Sequence, residues 1–234
     1  MQLFFSNDIN ADLCQLTPEE SKHCVKVLRM RVGDQIHLTD GCGTLCFGHI
    51  AAADSNACLV AIDRREEHFG QRPYRLHLAV APTKNNARIE WMLEKAVEIG
   101  IDELTPIVCD HSERDTLKVD RLEKIVVSAM KQSLKTYRPT INAPTLLHDF
   151  LQQTAPLDLE RFICHCDGDR RTLHQLYHPG RSALVLIGPE GDFSNLEISV
   201  ALKAGFQPVT LGSCRLRTET AALYAITALN FLNT

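Results

Sequence analysis

Residues Ala183-Leu184-Val185-Leu186-Ile187-Gly188-Pro189-Glu190-Gly191-Asp192-Phe193-Ser194 run from a wholly apolar stretch, through two glycines and a proline, straight into a helix start. The run 183–187 has the length and composition of a strand buried on both faces. Gly188 and Gly191 let the chain turn where a Cβ would clash, and Pro189 removes a backbone donor. Ser194 with Glu197 three residues on is a capping box, so the spacing predicts a helix over 194–204, closed by Gly205. A Gly-bearing turn between a buried strand and a capped helix is where an α/β protein holds a ligand.

Outward from this stretch the pattern repeats. Strands are expected at 76–81, 104–108, 161–166 and 209–211. The segment 88–99 places Ile89, Met92, Leu93, Ala96 and Val97 on one helical stripe, with Gly100 as its stop. Further helices are expected at 119–134 and 218–232. Alternation of this kind means a mostly parallel sheet with helices on both faces. Residues 1–70 read differently, with short strands at 2–5, 35–38, 45–52 and 57–63 between Gly, Asn and Asp turns. One helix interrupts them, opened by Thr17-Pro18-Glu19-Glu20 and ending in the basic stretch Lys26-Val27-Leu28-Arg29-Met30-Arg31. Those charges are open to two readings, a solvated helix end that complements the dipole or a contact to an RNA backbone. The polar stretch 64–74, RREEHFGQRPY, reads as a linker, so the expected domains are 1–70 and 71–234.

At 234 residues, 44% hydrophobic and 23% charged, the chain has ample material for a core. No apolar run approaches a membrane span, and the start MQLFFSNDINADL lacks the basic and apolar regions of a signal peptide. A soluble cytoplasmic protein without a membrane partner is expected. The net charge of −4 argues against a uniformly basic nucleic-acid sleeve and leaves room for a local basic face. Nine cysteines in no framework spacing read as free thiols of a reducing compartment. His37, Cys42, Cys46 and His49, with Cys164-His165-Cys166 behind them, come nearest to a metal pattern. They form no CxxC knuckle, and buried small cysteines are the alternative; no metal is expected.

A second Gly-bearing strand end reads Leu211-Gly212-Ser213-Cys214-Arg215-Leu216-Arg217-Thr218-Glu219-Thr220-Ala221. Neither glycine loop is GxGxxG or GxxxxGK[ST], and the chain has no GxSxG elbow. By spacing alone, each loop is a tight turn of an α/β domain. Together, however, IGPEGDFSNLE and LGSCRLRTETAALYAI resemble the carboxyl-terminal signature of the small-subunit (16S) ribosomal RNA uridine-N3 methyltransferases, the RsmE family of the SPOUT class. The resemblance extends to Pro82-Thr83-Lys84 with EWMLEKAVEIG at 90–100, and to Ser112-Glu113-Arg114 and Lys131-Gln132-Ser133. It also takes in HCVKVLRMRVGDQIHLTDG at 23–41, which is similar to that family's small PUA-like RNA-binding β-barrel domain.

The resemblance implies a SPOUT domain whose C-terminal segment threads a deep trefoil knot, an exception to the rule that chains avoid knots. It implies S-adenosyl-L-methionine bent into that knot and held largely by backbone. Carried over, the cofactor-binding residues are His165, Ile187, Gly188, Glu190, Gly191, Leu211, Gly212, Leu216 and Ala221. The chain departs from the family's pattern at Asp192, where Gly is common, at Ser213-Cys214, where Pro-Arg is frequent, and at Lys135 or Thr136, where Arg is usual. Uridine N3 lies on the Watson–Crick edge, so the target base must be unpaired or extruded. Arg217 and Glu219 are the candidate catalytic residues, Arg217 for phosphate or the developing uracil anion; Glu219 reads equally as an acid in a first helical turn. Arg29, Arg31, Lys84 and Arg114 are candidate RNA contacts. The expected partner is ribosomal RNA or the assembled small ribosomal subunit. A homodimer through the final helix is expected, because that helix is apolar on nearly all sides. A Rossmann-type methyltransferase would need glycines where Ala81-Pro82-Thr83-Lys84-Asn85-Asn86 stands, and a non-catalytic RNA-binding protein would need no donor pocket.

Overall fold

The computed structural model describes residues 2–9, 11–166 and 171–234. By Cα packing the chain divides into one unit of Met1–Gln71 with Val127–Arg138 and another of Arg72–Val126 with Pro139–Thr234.

The first unit holds β1 (Leu3–Phe5), β2 (Leu13–Gln15), α1 (Pro18–Lys22), β3 (Gln35–Thr39), β4 (Leu45–Ala52) and β5 (Leu59–Glu66). Its five strands form one sheet in the order β1-β3-β4-β5-β2. Thr17 caps α1 by accepting the Glu20 N–H at 3.3 Å. The Glu20 carboxylate pairs with Lys131. The helix then widens into a π-turn over His23–Val27. Gly48 lies at a bulge where a Cβ would stand 2.3 Å from the Ala61 carbonyl oxygen, so only glycine fits. Two sequence expectations need correction. β2 is too short for alternation to reveal it, and β5 runs to Glu66, into the expected linker. There Arg64 lies 4.0 Å from the Phe47 ring centroid. Cys14, Cys24, Cys46 and Cys58 pack in this unit's core with Phe4, Ile36 and Leu38. Burial pushes the Cys24 thiol up to about 12, the behaviour of a small core residue rather than a reactive one.

Val127–Arg138 belongs to the first unit through named bonds. Gly43 N–H donates to Thr136 O at 2.9 Å, and the Thr39 hydroxyl donates to the same oxygen at 3.3 Å. At Gly43 a Cβ would meet the Tyr137 ring at 2.4 Å.

The second unit runs β6 (Leu76–Val80), α2 (Asn86–Ile99), β7 (Glu103–Val108), α3 (Val119–Gln132), β8 (Thr140–Ile141), β9 (Thr145–Leu146) and α4 (Leu147–Thr154), the unit boundary falling inside α3. It continues with β10 (Glu160–Cys164), β11 (Arg171–Thr172), α5 (Leu173–Leu176), β12 (Ala183–Ile187), α6 (Asn195–Lys203), β13 (Gln207–Thr210) and α7 (Thr218–Leu232). The strands form an eight-stranded sheet in the order β11-β13-β10-β12-β6-β7-β8, with β9 also on β7. Every described pairing is parallel. This is the α/β architecture with a mostly parallel sheet expected above.

β6 and β12 are buried at every position, as continuous apolar runs between two helix layers must be. Leu184 and Leu186 face α4 and α6 in a core with Ile107, Ile163, Phe150 and Ala201. α7 packs on β6, β12 and α2. α7 itself is more one-sided than its composition suggests. Ala222, Ala225, Ile226 and Leu229 are buried, whereas Tyr224 and Phe231 are 51% and 76% exposed. Arg72 closes this layer, donating to Gly100 O and Asn230 Oδ1 at 3.0 Å each and to Asp102 Oδ2 at 2.6 Å. Among the described residues no helix is long and apolar enough to cross a membrane.

Candidate functional site

β13, β10 and β12 are neighbours in the sheet and end side by side at Thr210, Cys164 and Ile187. The carboxyl ends of parallel strands open a crevice where chain order switches direction, the usual ligand position in such sheets. Here the crevice has a volume of about 320 Å³. That lies within the roughly 300–1,000 Å³ of small-molecule sites. Its walls are three strand-end segments and one helix start. They comprise Cys164, His165 and Cys166; Ile187, Gly188, Pro189, Glu190 and Asp192; and Val209 through Gly212 with Cys214 through Thr218 and Ala221.

Two glycines shape this surface. At Gly188 a Cβ would sit 3.0 Å from the Phe193 ring, so any side chain there would press against that ring. The Thr218 hydroxyl donates to Gly188 O at 3.1 Å, tying the first turn of α7 to the end of β12. Gly212 has φ +122, a conformation side chains rarely adopt, and no atom stands within 4 Å of the position its Cβ would take.

The loop after β12 is held from several sides. Ser194 and Glu197 form the complete capping box, with Ser194 N–H to Glu197 Oε2 at 2.8 Å and Glu197 N–H to Ser194 Oγ at 3.2 Å. Asp192 adopts φ +64. Its carboxylate accepts the Phe193 N–H and, from across the crevice, the Cys166 N–H, both at 2.8 Å. Glu190 Oε1 accepts the Lys84 N–H at 3.2 Å. Gly191 lies off the crevice, where a Cβ would meet His111 Cβ at 3.1 Å. The other eight cofactor candidates, His165, Ile187, Gly188, Glu190, Leu211, Gly212, Leu216 and Ala221, all line the crevice. Sequence reasoning missed Asp192 and Thr218 as wall residues. The departure from Gly at Asp192 was the available signal.

Arg217, at the N-cap of α7, lines the crevice, and Glu219 does not. Glu219 faces a neighbouring cleft of about 600 Å³ with Ala87, Arg88, Trp91, Arg215, Leu216, Arg217 and Thr220. Its Oε1 is 3.8 Å from Arg88 Nε, and among the described residues its buried Oε2 makes no hydrogen bond. Lys84 and Arg114 come together, with Lys84 Nζ 2.8 Å from Glu113 Oε2 and Arg114 Nη2 donating to Lys84 O at 3.0 Å. The hydrogen bond to Glu113 holds the Lys84 ammonium in its charged form. Arg29, at φ +57, and Arg31 are exposed beyond the π-turn of the first unit. The His37, Cys42, Cys46 and His49 set does not converge: Cys46 is core, His37 stands edge-on to Phe47, and His49 pairs with Asp63 at 3.1 Å. Among the described residues no group of three His, Cys, Asp or Glu side chains could hold a metal ion. Burial, then Asp192, pushes the Cys164 thiol up beside the crevice.

A parallel α/β sheet with a crevice at its strand ends, beside a helix start, has the form of a small-molecule site. A family model described as an RNA methyltransferase domain matches residues 70–230, and one described as an RNA methyltransferase PUA domain matches residues 16–63. The chain belongs to this family of RNA methyltransferases. It is 44% identical to a probable rRNA-methyltransferase from Porphyromonas gingivalis, whose crystal structure superposes with a TM-score of 0.92 over 100% of this chain and 98% of that one. The structure of ribosomal RNA small subunit methyltransferase E from Neisseria gonorrhoeae, bound to S-adenosyl methionine, is 27% identical with a TM-score of 0.90, over 99% and 98% of the two chains. The ribosomal RNA small subunit methyltransferase E of Buchnera aphidicola is 28% identical over 97% of this chain and 92% of its own.

Proposed function

We propose that this chain transfers the methyl group of S-adenosyl-L-methionine to N3 of a uridine in small-subunit (16S) ribosomal RNA. The observation that carries the reading is the crevice where β13, β10 and β12 end, in a chain that superposes throughout on a relative holding that cofactor. The residues present fit the group. Ile187, Val209, Leu211, Leu216 and Ala221 offer apolar surface to a flat base, while the backbone at Gly188 and Gly212 can be approached closely. When bound, the sulfonium supplies an activated methyl and its own leaving group, so the protein's task is to align the acceptor in line with it. Arg217 lies where it can hold a phosphate or a uracil carbonyl that gains negative charge. Glu219 stands next to it, on the acceptor side. Arg29, Arg31, Lys84 and Arg114 serve the ribosomal RNA backbone in this reading, by contacts that position without specifying sequence.

The same reading includes a trefoil knot through which the segment leading to α7 passes, and a homodimer. Tyr224, Thr227 and Phe231 form one exposed stripe along α7, at the spacing of a helix face that packs on a second copy. Free thiols at all nine cysteines and a ribosomal target suit the cytoplasm. The test is mass spectrometry of nucleosides from 16S ribosomal RNA of a strain lacking the gene. One N3-methyluridine should disappear and return when purified protein and S-adenosyl-L-methionine are added to free RNA or to small subunits. An unchanged nucleoside profile would overturn the proposal.

A further inference from the structure

The cleft beside the crevice is unlike the rest of the surface. Ala87, Arg88 and Trp91 present one face of α2 to it, at positions one and three or four residues apart. Trp91 is the chain's one tryptophan and is 49% exposed, on a helix whose Ile89, Met92 and Leu93 are fully buried. Three guanidinium groups, Arg88, Arg215 and Arg217, line the same cleft in a protein of net charge −4. Between them lies Glu219, whose side chain is 9% exposed, with Oε2 unbonded among the described residues. A buried carboxylate oxygen left without a donor is costly unless a ligand supplies one. Arg215, Leu216 and Arg217 line both the cleft and the crevice, so a group seated in the cleft borders the donor site directly.

We infer that this cleft is the acceptor-nucleotide site, in which Trp91 stacks the extruded uracil, Glu219 receives its N3–H and the arginines hold the flanking phosphates. The inference deepens the uridine-N3 reading and rests on it. A flat aromatic face beside cations is the usual platform for single-stranded nucleotides. The selectivity follows from hydrogen-bond polarity. Uracil presents an N3–H donor between two carbonyl oxygens, matching a carboxylate with a guanidinium 3.8 Å away. Cytosine presents a lone pair at N3 and would face the carboxylate with like polarity. In the transfer, Glu219 Oε2 takes the N3 proton and the N3 electron pair forms the N–CH3 bond. The C–S bond of the sulfonium donor breaks with its pair left on sulfur, and Glu219 later gives the proton to water.

Because Trp91 is the sole tryptophan, its fluorescence reports the site without turnover. Full-length protein is titrated with oligouridylate, and separately with oligocytidylate. Oligouridylate should quench Trp91 saturably and bind at least about tenfold more tightly, as expected when a buried polar group is paired rather than opposed. Trp91→Phe, followed by anisotropy of labelled oligouridylate, should keep most of the affinity, and Trp91→Ala should lose about tenfold or more. Glu219→Gln keeps an acceptor for N3–H, so oligouridylate binding should change little. Methyl transfer to small-subunit RNA should fall about 100-fold or more. Quenching that tracks protein dilution instead of oligouridylate would give this surface to a second copy and overturn the inference. So would equal affinity for the two oligonucleotides, or full activity in Trp91→Ala and Glu219→Gln. In each of these cases, wild-type methylation of small-subunit RNA would leave the broader function standing. Failure of wild-type methylation would remove that function whatever Trp91 reports.

Discussion

Asp192 occupies left-handed backbone space at φ +64, where a side chain other than Asn or Asp is strained. Its carboxylate offsets that cost by accepting the N–H groups of Phe193 and Cys166, the second from the neighbouring strand end. Glycine, common here in the resembling family, would relieve the backbone and lose both bonds. Asp192→Ala should therefore cost about 2 kcal/mol, combining retained strain with two lost hydrogen bonds. Asp192→Gly should cost less, and Asp192→Asn, which tolerates the backbone but has one acceptor oxygen for two N–H donors, should fall between them. Urea unfolding of the three variants checks the order, and an Ala variant as stable as Gly would contradict it. The sequence showed this position only as a departure. What it could not show was the bridge to Cys166, since that contact depends on β10 and β12 lying side by side.

Among the elements, β6 carries the clearest pH signature. His77 is buried in it, 2.7 Å from Thr105 Oγ1 and 3.7 Å from Glu103 Oε2. Burial pulls its pKa from 6.5 to about 4, against the attraction of Glu103 and with the help of Arg75. The folded value lies below the unfolded one, so the unfolded chain binds the extra proton first. Stability should be full above about pH 6.5 and fall as pH drops towards 4, by up to roughly 3 kcal/mol. His77→Gln, which keeps a partner for Thr105, should flatten that slope; an equal slope in the variant would assign the effect elsewhere. Elements with local signals were legible in the sequence. β12 is a buried apolar run, α6 has its capping box, and α7 begins and ends at the residues expected. α4 was missed because no side chain caps it, although Leu147, Phe150, Leu151 and Thr154 have helical spacing. β8, β9 and β11 have two residues each, and pairing alone defines them. Arg88 and Trp91 escaped notice because the stripe on α2 was read for its buried face alone.

At the scale of the molecule, the exposed stripe on α7 sets the expected oligomeric state. Tyr224 and Phe231, at 51% and 76% exposure, are large apolar groups one helical face apart from the buried core. Light scattering at micromolar concentration should give about twice the 26.2 kDa chain mass. The double change Tyr224→Glu and Phe231→Glu should reduce it to one chain while leaving the fold intact by circular dichroism. A wild-type mass near 26.2 kDa in active protein would reject the dimer.

The first unit takes Val127–Arg138 from within the span of the second. Its modularity is therefore only apparent. A single break after Gln71 would leave the Gly43 N–H and the Thr39 hydroxyl without the Thr136 carbonyl, and Glu20 without Lys131. A gene fusion that moved the amino-terminal third as a cassette would carry those orphaned groups with it. Exchange between relatives can preserve both units only if the crossover carries the end of α3 along with the residues it completes.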